Sequence, residues 1–181
     1  PKQETCVSRS FSRPVTCVEE LREAVATYVV RAAEKLRRQN QRAAALSVYT
    51  RTSPFVPAFY SRSASTSLDL PSNDTQVLLQ AALPLVERIF QPHRQLAKAG
   101  VLMQHLQGTE QLQHHLLVPC SAVDQARREV LMRTIDQLNQ RHGRGTIQWA
   151  ACGLHPGWAM RRGQLGRAAT TRLSDVPVVQ A

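Results

Sequence analysis

The sequence predicts an α+β fold: a split β-α-β-β-α-β unit with a four-stranded antiparallel sheet and two helices on one face, then a small helical and irregular C-terminal extension. Three observations carry this expectation. Two segments repeat apolar residues at helical spacing, two alternate at period two and two more are short and β-compatible, and over residues 1–107 they follow one another as strand, helix, strand, strand, helix, strand.

The first strand is TCVSRSF, short and rich in β-compatible residues. Thr16-Cys-Val-Glu19 then reads as a capping box, and Leu21, Val25, Val29, Ala32 and Leu36 recur at helical spacing, which predicts a helix over 17–39. AAALSVYTRT alternates Leu46 and Val48 with Ser47, Tyr49 and Arg51, a strand with one wet face. Past the two-proline loop SPFVPAFY, Ala64, Thr66, Leu68 and Leu70 alternate with Ser63, Ser65, Ser67 and Asp69 in a third strand. Pro71-Ser-Asn-Asp punctuates, and Leu78, Ala81, Leu85 and Ile89 mark a second helix over 74–91. Pro84 inside it deletes a backbone donor and is expected to kink it. AKAGVLMQHL is the fourth strand. With two helices on one face, the other stays open and presents serines, Tyr49 and arginines.

Periodicity vanishes over 108–120. Ser121-Ala-Val-Asp124 can cap a third helix with Val123, Val130, Leu131, Ile135 and Leu138 on one side and Arg127, Arg128 and Arg133 elsewhere, ended by the glycines of HGRG. Thr146 to Ala151 is short and β-like, and a Gly/Pro-broken, basic tail follows. Trp149, Trp158 and Phe11 read as core anchors. Neither an internal repeat nor a low-complexity tract is present.

A net charge of +10 on 181 residues, with 20 arginines against 3 lysines, points to phosphate oxygens, which the guanidinium fork fits. The charge is clustered: residues 1–62 hold 11 basic and 5 acidic side chains, and residues 141–172 hold 6 basic and no acidic ones. That pattern predicts a nucleic-acid face. No apolar run is long enough to span a bilayer, and PKQETCVSRS has neither the layout of a signal peptide nor an initiating Met. A cytoplasmic protein without membrane contact, beginning inside something longer, is expected.

Cys6, Cys17, Cys120 and Cys152 form no CxxC pair and read as buried or incidental thiols. His114 and His115 have no Cys, Asp or Glu at ligand spacing nearby, so no metal site is expected there. The 13 acidic residues show no converging pair of the kind that two-metal nucleotidyl transfer needs, and Gly-rich phosphate loops, GxSxG and HExxH are missing. The chain alone is expected to catalyse nothing and to hold no cofactor; a nuclease is the enzymatic alternative.

Eight stretches, PKQETCVSRSF, RAAEKLRRQ, TRTSPF, YSRSAS, KAGVLM, LMRTIDQLNQRHGRGT, WAMRR and TTRLSD, occur in the order found in a known family. Over nearly its whole length the chain resembles the C-terminal part of UmuC-type Y-family translesion DNA polymerases, whose members include MucB and RulB. The resemblance implies that residues 1–107 are a little finger, a module that grips DNA, and that 121–181 are the extension particular to the UmuC branch. It places the catalytic carboxylates and their Mg²⁺ in a palm domain N-terminal to this sequence. It also implies that the open sheet lies along primer–template DNA. By match to the SRSF and YSRS segments, the contacts implied are Ser8, Arg9, Ser10, Arg13, Arg51, Ser61, Arg62, Ser63 and Ser65.

The linker 108–120 occupies the position where this family carries a Gln-Leu-x-Leu-Phe peptide that docks on the sliding clamp. Gln113-His-His-Leu-Leu117 keeps the glutamine and the fourth-position leucine, with His114 in place of Leu and Leu117 in place of Phe. The clamp contacts implied are Gln113, Leu116 and Leu117. In the extension, Ala169 stands where the family usually has tyrosine before its paired threonines. The family also implies a UmuD′ dimer and RecA as partners and a role in SOS mutagenesis. The competing reading is a protein-interaction module for UmuD′ or RecA whose DNA affinity is incidental.

Overall fold

The computed structural model describes residues 3–109, 122–154 and 156–160, with Ser174 and Val176. Strand β1 (Thr5–Val15) leads into helix α1 (Val18–Arg38), strands β2 (Gln41–Thr52) and β3 (Ser61–Ser72), helix α2 (Thr75–Ile89) and strand β4 (Leu96–Gly108). The four strands form one antiparallel sheet in the order β1-β4-β2-β3. Each helical crossover passes over one strand contributed by the other half, β4 under the first and β2 under the second, which interlocks the halves. The fold class read from periodicity is the one observed.

Helix α1 buries Leu21, Val25, Val29 and Leu36 with four alanines and Tyr28 against the sheet and α2. Glu19 and Glu20 sit in its first turn and Lys35, Arg37 and Arg38 in its last, complementing the helix dipole at both ends. The expected capping box does not form. The N-cap is Cys17 and its side chain makes no cap bond, so Thr16 lies outside the helix and Glu19 falls one position short of N3. Glu20, which does occupy N3, pairs with Arg13 instead.

Helix α2 has the cap that α1 lacks: the Asp74 carboxylate accepts from Gln76 N at 2.7 Å and Val77 N at 3.3 Å. The helix runs on through Pro84, which faces solvent. The carbonyl left without a donor belongs to exposed Gln80, where water can serve it. The core closes with Leu78, Val86 and Ile89 from α2 and with Leu46, Val48, Val101 and Met103 from the sheet.

Helix α3 (Ala122–His142) ends at Gly143, whose φ of +105° suits glycine. Its expected apolar side is not buried: Met132 is, Ile135 and Leu138 are half-covered, and Val130 and Leu131 face solvent. The helix is tied down by polar contacts. Asp136 accepts from Arg37 Nε at 2.6 Å and Nη2 at 2.7 Å, and Glu129 accepts from Arg42 Nη2 at 2.7 Å.

The β-like segment expected at 146–151 is a turn followed by a short 3-10 helix at Ala150–Cys152. Asn139 explains why. Its side chain donates to Ile147 O at 3.0 Å and accepts from Ile147 N at 2.8 Å, using both backbone groups a sheet would need. The chain then delivers Trp158 into the core, edge-on to Phe11 and Tyr28 with ring centroids 6.2 and 5.8 Å away, while Trp149 packs partly buried against it. Cys6 and Cys17, expected to be buried or incidental, are exposed, and Cys152 is half-covered with its thiol pushed up by burial. Cys120 lies outside the described residues.

Candidate nucleic-acid interface

Directly paired strand residues share a face, so the register sorts every side chain of the sheet. Opposite the helices, the row nearest the β2–β3 loop is Ser10, Lys98, Arg51 and Ser61. The next is Ser8, Gly100, Tyr49 and Ser63, and the third is Cys6, Leu102, Ser47 and Ser65. These rows hold no carboxylate. Glu4 lies at the far end, 3.5 Å from Gln104 Nε2.

Small side chains keep this face flat. Ser47 Oγ lies 2.9 Å from Ser65 Oγ and donates to Gln104 Oε1 at 2.7 Å, a chain of hydroxyl and amide groups across three strands. Gly100 is required by close approach: a Cβ there would fall 2.6 Å from Ser8 Cβ and 2.7 Å from the Tyr49 ring. Tyr49 therefore lies over β4, its ring packed on the glycine.

The face gathers six of the expected contact residues: Ser8, Ser10, Arg51, Ser61, Ser63 and Ser65. Arg9 and Arg62 are elsewhere. Thr50 is fully buried under the helices and pairs with Arg62 and Ala99, and Ala99 in turn pairs with Arg9. The two arginines thus end a single row on the helix side, each on an outer strand. Arg9 is near enough to Tyr28 to act on its phenol, which burial pushes up to about 12 while Arg31 and Arg9 pull it back. Arg13 lies past the irregularity between Ser10 and Val15 and is tied to Glu20. These placements correct the expectation of one shared surface. It arose from segment matching, whereas Val7, Arg9 and Phe11 alternating with Ser8 and Ser10 already assign the faces.

Lys98 is the cation that sequence reading missed. Its signal was the alternation of Lys98, Gly100 and Leu102 with the buried Ala99, Val101 and Met103. Gln113, Leu116 and Leu117 lie outside the described residues. Among the described residues no three His, Cys, Asp or Glu side chains are grouped to hold a metal ion, and no helix is long and apolar enough to cross a membrane.

Residues 2–116, more than half of the chain, match the impB/mucB/samB family C-terminal domain. The chain belongs to this family. Residues 129–179 match a second family, described as a domain of unknown function (DUF4113). The chain is 38% identical over 179 residues to Protein UmuC of Salmonella typhimurium, covering 97% of this chain and 42% of that protein. It is 36% identical to Protein SamB of Salmonella typhimurium, covering 99% of the chain and 42% of SamB, and 35% identical to Protein MucB of Escherichia coli, covering 98% and 41%. It therefore spans well under half the length of these relatives. Two solved structures are similar at a TM-score of 0.45: the insertion ternary complex of Dbh DNA polymerase (10% identity, 58% of this chain, 29% of that one) and the complex of beta-clamp processivity factor and little finger domain of PolIV (13% identity, 64% and 99%). In this impB/mucB/samB domain the serine ladder and the Lys98–Arg51 row make the open sheet a flat cationic surface.

Proposed function

We propose that this chain is the DNA-holding part of a UmuC-type Y-family translesion DNA polymerase acting in SOS mutagenesis, with its open sheet laid along primer–template duplex. The observation that carries the reading is the set of three carboxylate-free rows on the open face, in one of which Lys98 and Arg51 stand together among serine hydroxyls. Phosphates are held by such donors without any reading of base edges, so the grip is indifferent to sequence. A polymerase that copies damaged template needs that indifference. Nucleotidyl transfer requires Mg²⁺-binding carboxylates supplied by a palm domain outside this sequence. The same reading places the protein in the cytoplasm with a UmuD′ dimer and RecA as partners, as its resemblance to UmuC-type polymerases implies.

Fluorescence anisotropy on duplexes of several sequences tests the reading. Affinity falls steeply with salt, and Arg51→Ala with Lys98→Ala flattens the log–log slope by about two units for every sequence. Arg9→Ala with Arg62→Ala, on the other side of the sheet, changes it less. A preference of about 100-fold for one sequence, or a larger effect from the helix-side pair, rejects the open face as the grip.

The same proposal assigns Gln113, Leu116 and Leu117 to the sliding clamp, the glutamine amide fixing register and the leucines filling an apolar pocket. Each buried leucine contributes about 1.5–3 kcal/mol, so Leu116→Ala with Leu117→Ala lowers peptide affinity well over tenfold. Leu117→Phe raises it. Calorimetry of a peptide spanning Glu110 to Pro119 against clamp measures both, and no binding at millimolar concentration removes the assignment.

A further inference from the structure

The loop between β2 and β3 exposes two aromatic side chains. Phe55 is 94% exposed and Phe59 54%, with Val56 between them. Exposed aromatic pairs are unfavourable in water unless something covers them. The backbone that carries them is held at its neck. Thr52 and Tyr60 pinch the neck, with Thr52 N donating to Tyr60 O and Tyr60 N to Thr52 Oγ1, both at 2.9 Å. Tyr60 Oη donates to Ile89 O at 3.1 Å, anchoring the neck to the end of α2. At the tip Ser53 Oγ accepts from Phe55 N at 3.3 Å, and Pro54 and Pro57 restrict the backbone further.

The surroundings indicate the occupant. The neck continues directly into the Ser10–Lys98–Arg51–Ser61 row of the open face. Arg94, from the loop before β4, lies over the Tyr60 ring with its guanidinium carbon 5.3 Å from the centroid. From Lys35 to Leu68 the sequence holds no carboxylate. An aromatic tip at the end of a cationic track matches a polyanion whose bases become accessible there. A duplex hides its base faces, while a single strand leaving the duplex offers them, and base–aromatic stacking is indifferent to base identity.

The geometry points to Phe55 and Phe59 as a stacking platform for unpaired bases at a duplex–single-strand junction, with the open sheet holding the adjoining duplex. This rests on the DNA-holding reading above and adds where the single strand runs. The test uses the 181-residue chain with a blunt duplex and with the same duplex carrying a 5′ overhang. Phe55→Ala with Phe59→Ala lowers affinity for the overhang substrate about tenfold and leaves blunt-duplex affinity unchanged. In Phe55→Trp, indole emission is quenched by the overhang substrate, and abasic residues in the overhang abolish the quench. Equal affinities of wild type and double variant for both substrates overturn the platform and leave the grip intact. Failure of wild type to bind either DNA overturns both. Equal loss on the two substrates, or unaltered DNA binding with lost binding to purified sliding clamp, shows that the loop serves another contact and overturns the platform alone.

Discussion

Helices α1 and α3 are each 21 residues long, but nine side chains of α1 are buried and, among the described side chains of α3, only Met132 is. Apolar burial sets the position of α1. Helix α3 is held by directed polar contacts: Glu129 and Asp136 are seven residues apart, two turns on one stripe, and reach Arg42 and Arg37. Equal length thus conceals unequal attachment. The first helix is therefore expected to leave only when the domain unfolds, and the third to open at lower cost with the sheet and its two helices still packed.

The largest loss of stability is expected from α1. Leu36→Ala removes a fully buried side chain from under the sheet and is expected to destabilise the domain by about 2–5 kcal/mol, read as a lower urea midpoint at unchanged slope. Tyr28, also in α1, makes stability depend on pH. Its phenol is raised from 10.0 to about 12, chiefly by burial, so the folded state holds that proton more tightly than the unfolded one. The contribution is full below pH 10 and is lost as pH rises from 10 through 12, by roughly 2 kcal/mol. Tyr28→Phe removes this loss and leaves neutral-pH stability unchanged or higher, because the hydroxyl has no hydrogen-bond partner among the described residues. Urea titrations across that pH range check both.

On the α3 side the effects are smaller and local. Arg37 also donates to Asn73 O at 2.8 Å and Thr75 Oγ1 at 3.0 Å, so Arg37→Ala removes contacts to both α3 and the start of α2. Hydrogen exchange is expected to show α3 amides losing roughly 1–2 kcal/mol of protection while those of α1 keep theirs, with added salt mimicking the change. Leu131→Ala, at a side chain 52% exposed, alters stability by less than about 0.5 kcal/mol in thermal melts.

What the sequence made legible was everything with a period. Leu21, Val25, Val29 and Leu36 locate α1 because a helix buries every third or fourth residue, and Leu46 and Val48 orient β2 because a strand buries every second. Contacts between distant residues left no such trace. Arg37 and Asp136 are 99 residues apart, and nothing near Ile147 shows that Asn139 will occupy its backbone. Trp158 was readable as a core anchor, but not which core it would enter. The candidate interface was half legible. The serines follow from alternation, and the same alternation sets Arg9 and Arg62 on the helix side and Lys98 on the open one, which matching of whole segments does not show.

The place of β4 between β1 and β2 constrains how this protein is made. The β2–β3 hairpin is local and can form as soon as it leaves the ribosome. Strand β1 has its ladder with β4 alone among the described strands, so it waits, unpaired, until Leu96–Gly108 has been synthesised. Pairing of such separated segments is slow, since the loop must close before any contact rewards it. Trp158 arrives later still, and its carbonyl then accepts from Ser12 N at 3.0 Å on the outer edge of β1. During translation the first strand of this domain is therefore the last of its strands to be protected, and a ribosome stalled before residue 96 holds out Val7, Phe11 and Val15 to chaperones or to the same strand of a neighbouring nascent chain.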